Sequence, residues 1–207
     1  MPETTGTREA LLDAAYAAIV AGEWARVRMA DVAAGAGVSR QTLYNEFGSK
    51  DALCAAVATR ENDRFLAGAL RTMEAHEGSP AEAVGEAVLW GLREASDNSL
   101  VKAILTDDTG LLPLMTTRAA PLVESLRDGI ADFLTEHWPF LSLPAARDVA
   151  EVAVRLTISF LVVPTEPVEA TARRVAHVVE RLVASPSRRR RVGWVGRGGR
   201  AHWTGDR

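Results

Sequence analysis

The chain has 207 residues and a net charge of −3, with 47% hydrophobic and 6% aromatic residues. That suffices for one large or two small domains, and an apolar set dominated by Ala, Leu and Val favours helices over strands. Its longest apolar stretch, Leu156 to Val163, is interrupted by Thr157 and Ser159 and falls far short of the roughly 20 residues of a membrane span. The first ten residues show no basic start followed by an apolar run, so no signal peptide is expected. A single cysteine, Cys54, excludes an intrachain disulfide and fits a reducing cytoplasm.

In chain order, the spacing predicts a first helix from about Thr7 to Ala21. Thr7 serves as its cap, and Ala10, Leu11, Ala14, Ala15, Ala18 and Ile19 form its apolar stripe. A second helix covers Met29 to Ala36, Gly37 permits a turn, and Ser39 caps a third helix from Arg40 to Phe47. Gly48 stops that helix, and Ser49 caps a long fourth one from Lys50 to about Ala75. The loop signal His76 to Pro80 follows. Further helices are expected over Ala81–Ser96, Leu100–Leu105, Ala120–Trp138, Ala145–Val163 and Val168–Ala184. From Ser185 onward Gly and Arg dominate and no apolar period survives, which reads as a disordered basic tail. The expected fold is all-α: a helix-turn-helix head over residues 1–52, then a longer helical domain over 53–184, then the tail of 185–207.

Charge is unevenly divided along these parts. Residues 1–50 carry 5 Lys+Arg against 6 Asp+Glu, residues 51–184 carry 12 against 20, and residues 185–207 carry 7 against 1. A DNA-binding head need not be basic overall, because only its contact face must attract phosphate.

The segment VRMADVAAGAGVSRQTLYNEFGSK, residues 27 to 50, concentrates the chemistry. Val32, Ala33, Val38 and Leu43 can tie two short helices together, leaving Arg40, Gln41, Thr42, Tyr44 and Asn45 on the surface of the second. Arg and Gln read guanine and adenine edges, and a Thr methyl can meet a thymine methyl. Ser39, Tyr44 and Asn45 suit phosphates, and Lys50 at the start of the fourth helix offers an ammonium to one. Glu46 beside DNA would be repulsive and is expected to point away. Six exposed polar residues on a helix are usually plain solvated surface. Here the small residues, turn glycine and capping serine around them argue for a DNA reader.

The run DVAAGAGVSRQTLYNEFGSKDAL resembles the DNA-binding signature of the TetR family of bacterial regulators. The resemblance spans about residues 7–60. Its shared features are Val32-Ala33, Ala36-Gly37-Val38-Ser39, Thr42-Leu43-Tyr44, Phe47 and Lys50. It implies an all-helical subunit with three N-terminal DNA-binding helices. It also implies a C-terminal domain that binds an inducer and dimerises through its last two long helices. Where the family usually carries a capping Thr, this chain has Arg28, a poor cap that can reach phosphate by charge. Ala145–Val163 and Val168–Ala184 are the most apolar long helices outside the head. Paired across a two-fold axis they would form a four-helix bundle, matching a palindromic operator with half-sites roughly 34–36 Å apart or a multiple of that.

The expected function is a homodimeric repressor, released from double-stranded DNA by a hydrophobic small molecule. The stretch Ala103 to Met115 is similar to that of alkane- and fatty-acid-associated regulators of the family, which implies a fatty-acid-like inducer. Trp90, Ile104, Leu111, Phe133 and Phe160 are the candidates for the pocket wall, as is Trp138. Each aromatic taken alone reads as ordinary core. A cationic ligand is the other possibility, if Glu86 or Asp132 faces the cavity. No phosphate-cradling glycine loop, metal motif or nucleophile–base pair supports an enzyme, so no catalytic residue, cofactor or metal is expected. His76, His137 and His177 are scattered, Asp107-Asp108 reads as a loop pair rather than a cation site, and Cys54 reads as a small buried hydrophobe. The alternative function is a helical scaffold that uses the fold without DNA.

Overall fold

The computed structural model describes residues 3–76, 78–106 and 110–184. Nine α-helices follow one another, with no strand among the described residues: α1 (Glu3–Val20), α2 (Met29–Gly35), α3 (Arg40–Phe47), α4 (Lys50–Glu74), α5 (Pro80–Asp97), α6 (Ser99–Leu105), α7 (Ala120–His137), α8 (Leu143–Val162) and α9 (Val168–Ala184). A 3-10 turn, Leu112–Met115, lies between α6 and α7. The basic tail and Asp107-Asp108 lie outside the described residues.

Local chemistry accounts for most helix ends. The Oγ atoms of Ser39, Ser49 and Ser142 accept backbone N–H bonds from Thr42, Ala52 and Ala145, as N-caps do. Ser79 and Glu82 exchange reciprocal bonds in a capping box at α5. Helices α5 and α8 begin earlier than the spacing predicts because Pro80 and Pro144 sit within their first turns, where a missing N–H costs nothing. Helix α1 also starts earlier, at Glu3, so Thr7 is an interior residue rather than a cap. Thr4, Thr5 and Thr7 offer similar cap signals, and composition does not rank them.

Apolar burial forms two clusters. In the head, Leu11, Leu12, Ala15 and Ile19 of α1 meet Val32, Ala33, Leu43, Phe47, Leu53 and Val57. Leu100 and Ile104 of α6 are buried in this same cluster, and Leu111, Leu114 and Met115 pack against it. The second cluster joins α4, α5, α7, α8 and α9 around Met73, Val84, Val88, Leu134, Val149, Val175 and Val179. Helix α7 packs along α8, and α5 along α9. The core of the head therefore reaches past the first four helices and takes in α6.

Candidate nucleic-acid interface and ligand cavity

Helices α2 and α3 meet through Val32 and Ala33 on one side and Leu43 on the other, all at most 3% exposed, with Val38 packed beside them. Gly37 sits in the turn at φ +68°, a conformation that a side chain would strain. Arg8 of α1 fixes the far end of α3: its guanidinium lies 4.8 Å over the Phe47 ring and donates to Glu46 at 2.8 Å. Glu46 is thus held by a cation at the end of the helix. The sequence contained no motif for this pair, because its members are 38 positions apart.

The exposed side of α3 brings together most of the DNA candidates. Arg40, Gln41 and Asn45 are exposed, and Thr42 and Tyr44 half-buried. Gln41 Nε2 donates to Asn45 Oδ1 at 2.7 Å, while the Arg40 guanidinium lies 5.2 Å over the Tyr44 ring. Ser39 and Thr42 share a hydroxyl contact of 2.8 Å. These pairs order long side chains before any partner arrives, which lowers the entropy cost of binding.

At two positions the structure adds to the sequence: it explains the poor cap at Arg28 and corrects the role expected of Lys50. A guanidinium cannot accept a backbone N–H, so Arg28 does not cap α2 as Ser or Thr would. Asp31 does the capping: its carboxylate accepts the Arg28 backbone N–H at 3.0 Å and both Nε and Nη2 of the same side chain at 3.1 Å. Those bonds hold the Asp31 carboxyl below the usual carboxylate range. The Arg28 side chain remains highly exposed. Lys50 is the second case. Its ammonium does not reach into solvent towards a phosphate; it donates to the carbonyls of Trp24 and Val27, the latter at 2.7 Å. It also lies 4.9 Å from the centroid of the Trp24 ring.

A cavity of about 490 Å³ opens between α4, α5, α6, α7 and α8, within the size range of small-molecule sites. Its inner wall is apolar, with Leu122, Leu126, Ile130, Val154, Ile158 and Leu161. Charged and amide groups, Glu61, Asn62, Arg64, Arg71, Glu94 and Asn98, complete the lining. Trp90 and Ile104 belong to the wall as the sequence suggested. Leu111, Phe133 and Phe160 do not: Leu111 packs on the head cluster, Phe133 stacks on His137, and Phe160 is half-buried on α8. Trp138 tilts against Phe133 and donates to the Gly78 carbonyl. Glu86 and Asp132 are likewise absent from this wall, where Glu61 and Glu94 are the carboxylates. Trp90 owes its position to Gly68, since a Cβ there would stand 2.1 Å from the indole.

Two features connect cavity and head. Leu100 and Ile104 of α6 line the cavity and are also buried in the head cluster. Arg60 of α4, only 11% exposed, donates to Glu9 and Asp13 of α1 at 3.1 and 2.8 Å. No group of three His, Cys, Asp or Glu able to hold a metal occurs among the described residues. His76 and His137 each bond a carbonyl one turn back, and His177 lies 3.6 Å from Glu180.

Comparison with known proteins follows this division. Residues 11–57 match the model of the bacterial regulatory proteins, tetR family, and residues 80–181 match that of the bacterial tetracyclin repressor, C-terminal domain. The chain is 30% identical over 174 residues to the HTH-type transcriptional regulator AlkX of Mycobacterium tuberculosis, covering 83% of this chain and 82% of that protein. Among solved structures, the TetR family repressor AlkX of Dietzia sp. strain DQ12-45-1b, implicated in biodegradation of n-alkanes, is 31% identical with a TM-score of 0.71. That match covers 85% of this chain and 95% of that one. The R. erythropolis repressor QsdR shares the fold at 17% identity and a TM-score of 0.61, over 85% and 93% of the two chains. The chain belongs to the TetR family of bacterial transcriptional regulators.

Proposed function

We propose that this regulator is a homodimeric, cytoplasmic repressor that holds a palindromic operator and releases it when a hydrophobic small molecule fills the cavity. In this reading residues 1–52 form the reading head and residues 53–184 the ligand-binding and dimerisation domain. Two copies of α3 lie in successive major grooves, with Arg40 and Gln41 on base edges. Arg28, Ser39, Thr42, Tyr44 and Asn45 lie near the sugar-phosphate chain.

The observation that carries the reading is the double membership of Leu100 and Ile104. They are buried with the head and exposed to the cavity at once. A ligand seated there bears directly on α6, and through α6 on α1, while α4 runs from the cavity to the head as a second connection. A coupling of about 1–3 kcal/mol per site suffices for a useful switch. The apolar inner wall suits a chain-like inducer, and the similarity to a repressor implicated in n-alkane biodegradation supports a fatty-acid-like one.

Selection of duplexes by the full-length protein from a random-sequence pool tests the reading. An enriched inverted repeat is expected, bound with an affinity that falls steeply with salt. Failure to enrich any duplex would favour a scaffold role.

A further inference from the structure

The contacts between α1, α4 and the cavity wall form one continuous charged chain. Arg60 grips Glu9 and Asp13 of α1. Its Nε lies 3.4 Å from Glu61 Oε1, yet this buried atom has no hydrogen-bond partner. Glu61 Oε1 is taken instead by Arg64 Nη1 at 2.8 Å. Glu61 and Arg64 both line the cavity. One carboxylate thus stands between two guanidinium groups, one holding the head and one facing the ligand.

The two arginines differ in availability. Glu61 is 16% exposed and already engaged, whereas Arg64 is 60% exposed. A guanidinium has five N–H donors, and Arg64 gives one to Glu61. A carboxylate arriving at the cavity mouth therefore meets open donors on Arg64, and planar bidentate pairing is available to it. Tyr16 of α1 sits close enough for burial and the Glu61 charge to raise its phenol's pKa, so α1 senses the charge at this point.

We propose that Arg64 is the seat for the anionic head of an amphiphilic inducer, and that Glu61 passes its arrival to the head through Arg60. This rests on the cavity being the inducer site. An anion on the open donors of Arg64 shares that guanidinium's charge, which weakens its hold on Glu61 Oε1. The carboxylate then closes the 3.4 Å to the unpartnered Nε of Arg60 and draws that guanidinium away from Glu9 and Asp13, which hold it at Nη1. The grip of α4 on α1 loosens, and the two heads lose their fixed spacing. The apolar wall supplies affinity, and the ionic chain supplies the signal.

The test uses three probes that share a ten-carbon chain: decanoate, 1-decanol and decyltrimethylammonium. Full-length wild type, Arg64→Gln, Arg64→Lys and Glu61→Gln are each titrated with a duplex selected by the wild type, with and without saturating probe. Probe binding is followed separately by native mass spectrometry. Decanoate is expected to weaken duplex binding at least tenfold in the wild type and less than threefold in Arg64→Gln and Glu61→Gln, with Arg64→Lys recovering part of the response. Decanol is expected to bind and change duplex affinity less than threefold. Equal release by decanoate and decanol, or full release in Arg64→Gln, would overturn the anionic seat while leaving the cavity as inducer site. Release by decyltrimethylammonium alone would place the polar seat at a carboxylate such as Glu94 and overturn it as well. If no probe binds, the cavity reading itself fails, and the seat with it.

Discussion

Lys50 and Trp24, 26 positions apart, are joined twice. The ammonium donates to the Trp24 carbonyl and lies over the Trp24 indole. With its bond to the Val27 carbonyl, this residue ties the start of α4 to the turn that leads into α2. An ammonium meeting an aromatic face and two carbonyls in a half-buried site is stabilised by charge-assisted hydrogen bonds and by the ring quadrupole. The tie ends one residue before Arg28, which precedes the first turn of α2.

The tie separates two roles for Lys50 that a simple binding assay would merge. Replacing Lys50 with Met removes the charge and leaves two carbonyls without their partner, costing about 2 kcal/mol of stability. Urea unfolding of the isolated protein should register that loss. The slope of log affinity against log salt should stay the same, because no phosphate contact is removed. A phosphate-binding Lys50 would instead lower the slope by about 0.9. A reduced slope with unchanged stability would refute the tie.

The unequal legibility of the two regions has a physical cause. The bounds of α3 and its capping by Ser39 were readable because cap and turn signals act over three or four residues, and the Ser39 Oγ to Thr42 N–H bond spans three. The Lys50–Trp24, Arg8–Glu46 and Arg60–Asp13 contacts were invisible for the opposite reason: each joins residues that only the tertiary fold brings together. The cavity shows the same limit. Helical periodicity marks Phe133 and Phe160 as apolar, but it does not say which neighbour each one faces. Trp90 was found, while the polar residues that share its cavity, Glu61, Asn62 and Arg64, carried no motif at all.

Cys54 gives a pH prediction. It is 5% exposed, and burial, followed by the nearby Asp51 charge, pushes its thiol up from the ordinary value of 9.0 to about 11. The folded state therefore keeps its proton where the unfolded chain has lost it. Between those values the folded state binds more protons, so stability is full below about pH 9 and falls as pH rises towards 11. The loss due to this group is about 2 to 3 kcal/mol at the upper end. Comparing wild type with Cys54→Ala by urea unfolding from pH 8 to pH 11 isolates it. Parallel curves over that range would show that the thiol is not the cause.

Gly68 is the place where the cavity wall is easiest to disturb. The indole of Trp90 lies against its backbone, and Phe65 tilts against the same ring at 5.2 Å. In Gly68→Ala the new methyl would overlap the ring, so Trp90 must leave its place or the two helices must part. Overpacking of this kind costs about 1–3 kcal/mol. A lower unfolding midpoint is expected, together with a shift in tryptophan emission that is absent when the same change is made in a Trp90→Phe background. An unchanged midpoint would mean that the α4–α5 contact is looser than its geometry indicates.

The last prediction concerns the outer faces of α8 and α9. Val152 and Phe160 lie two turns apart on α8, both half-buried, and Val163, 61% exposed, caps the end of that helix. On α9, Leu182 is 38% exposed and lies one turn beyond the half-buried Val178. Apolar side chains left open along two adjacent helices fit a four-helix interface with a second copy better than solvent, and in such an interface Phe160 would be covered. Changing Val163 and Leu182 together to Asp would place four carboxylates across a two-fold interface. Light scattering should then report a monomer for the variant and a dimer for the wild type. Loss of the second head also removes the effective-concentration gain, so affinity for an inverted repeat should fall by about 10² or more. Affinity for a single half-site should change little, because neither residue is near α3. A variant that stays dimeric and keeps its operator affinity would place the dimer contact on another face.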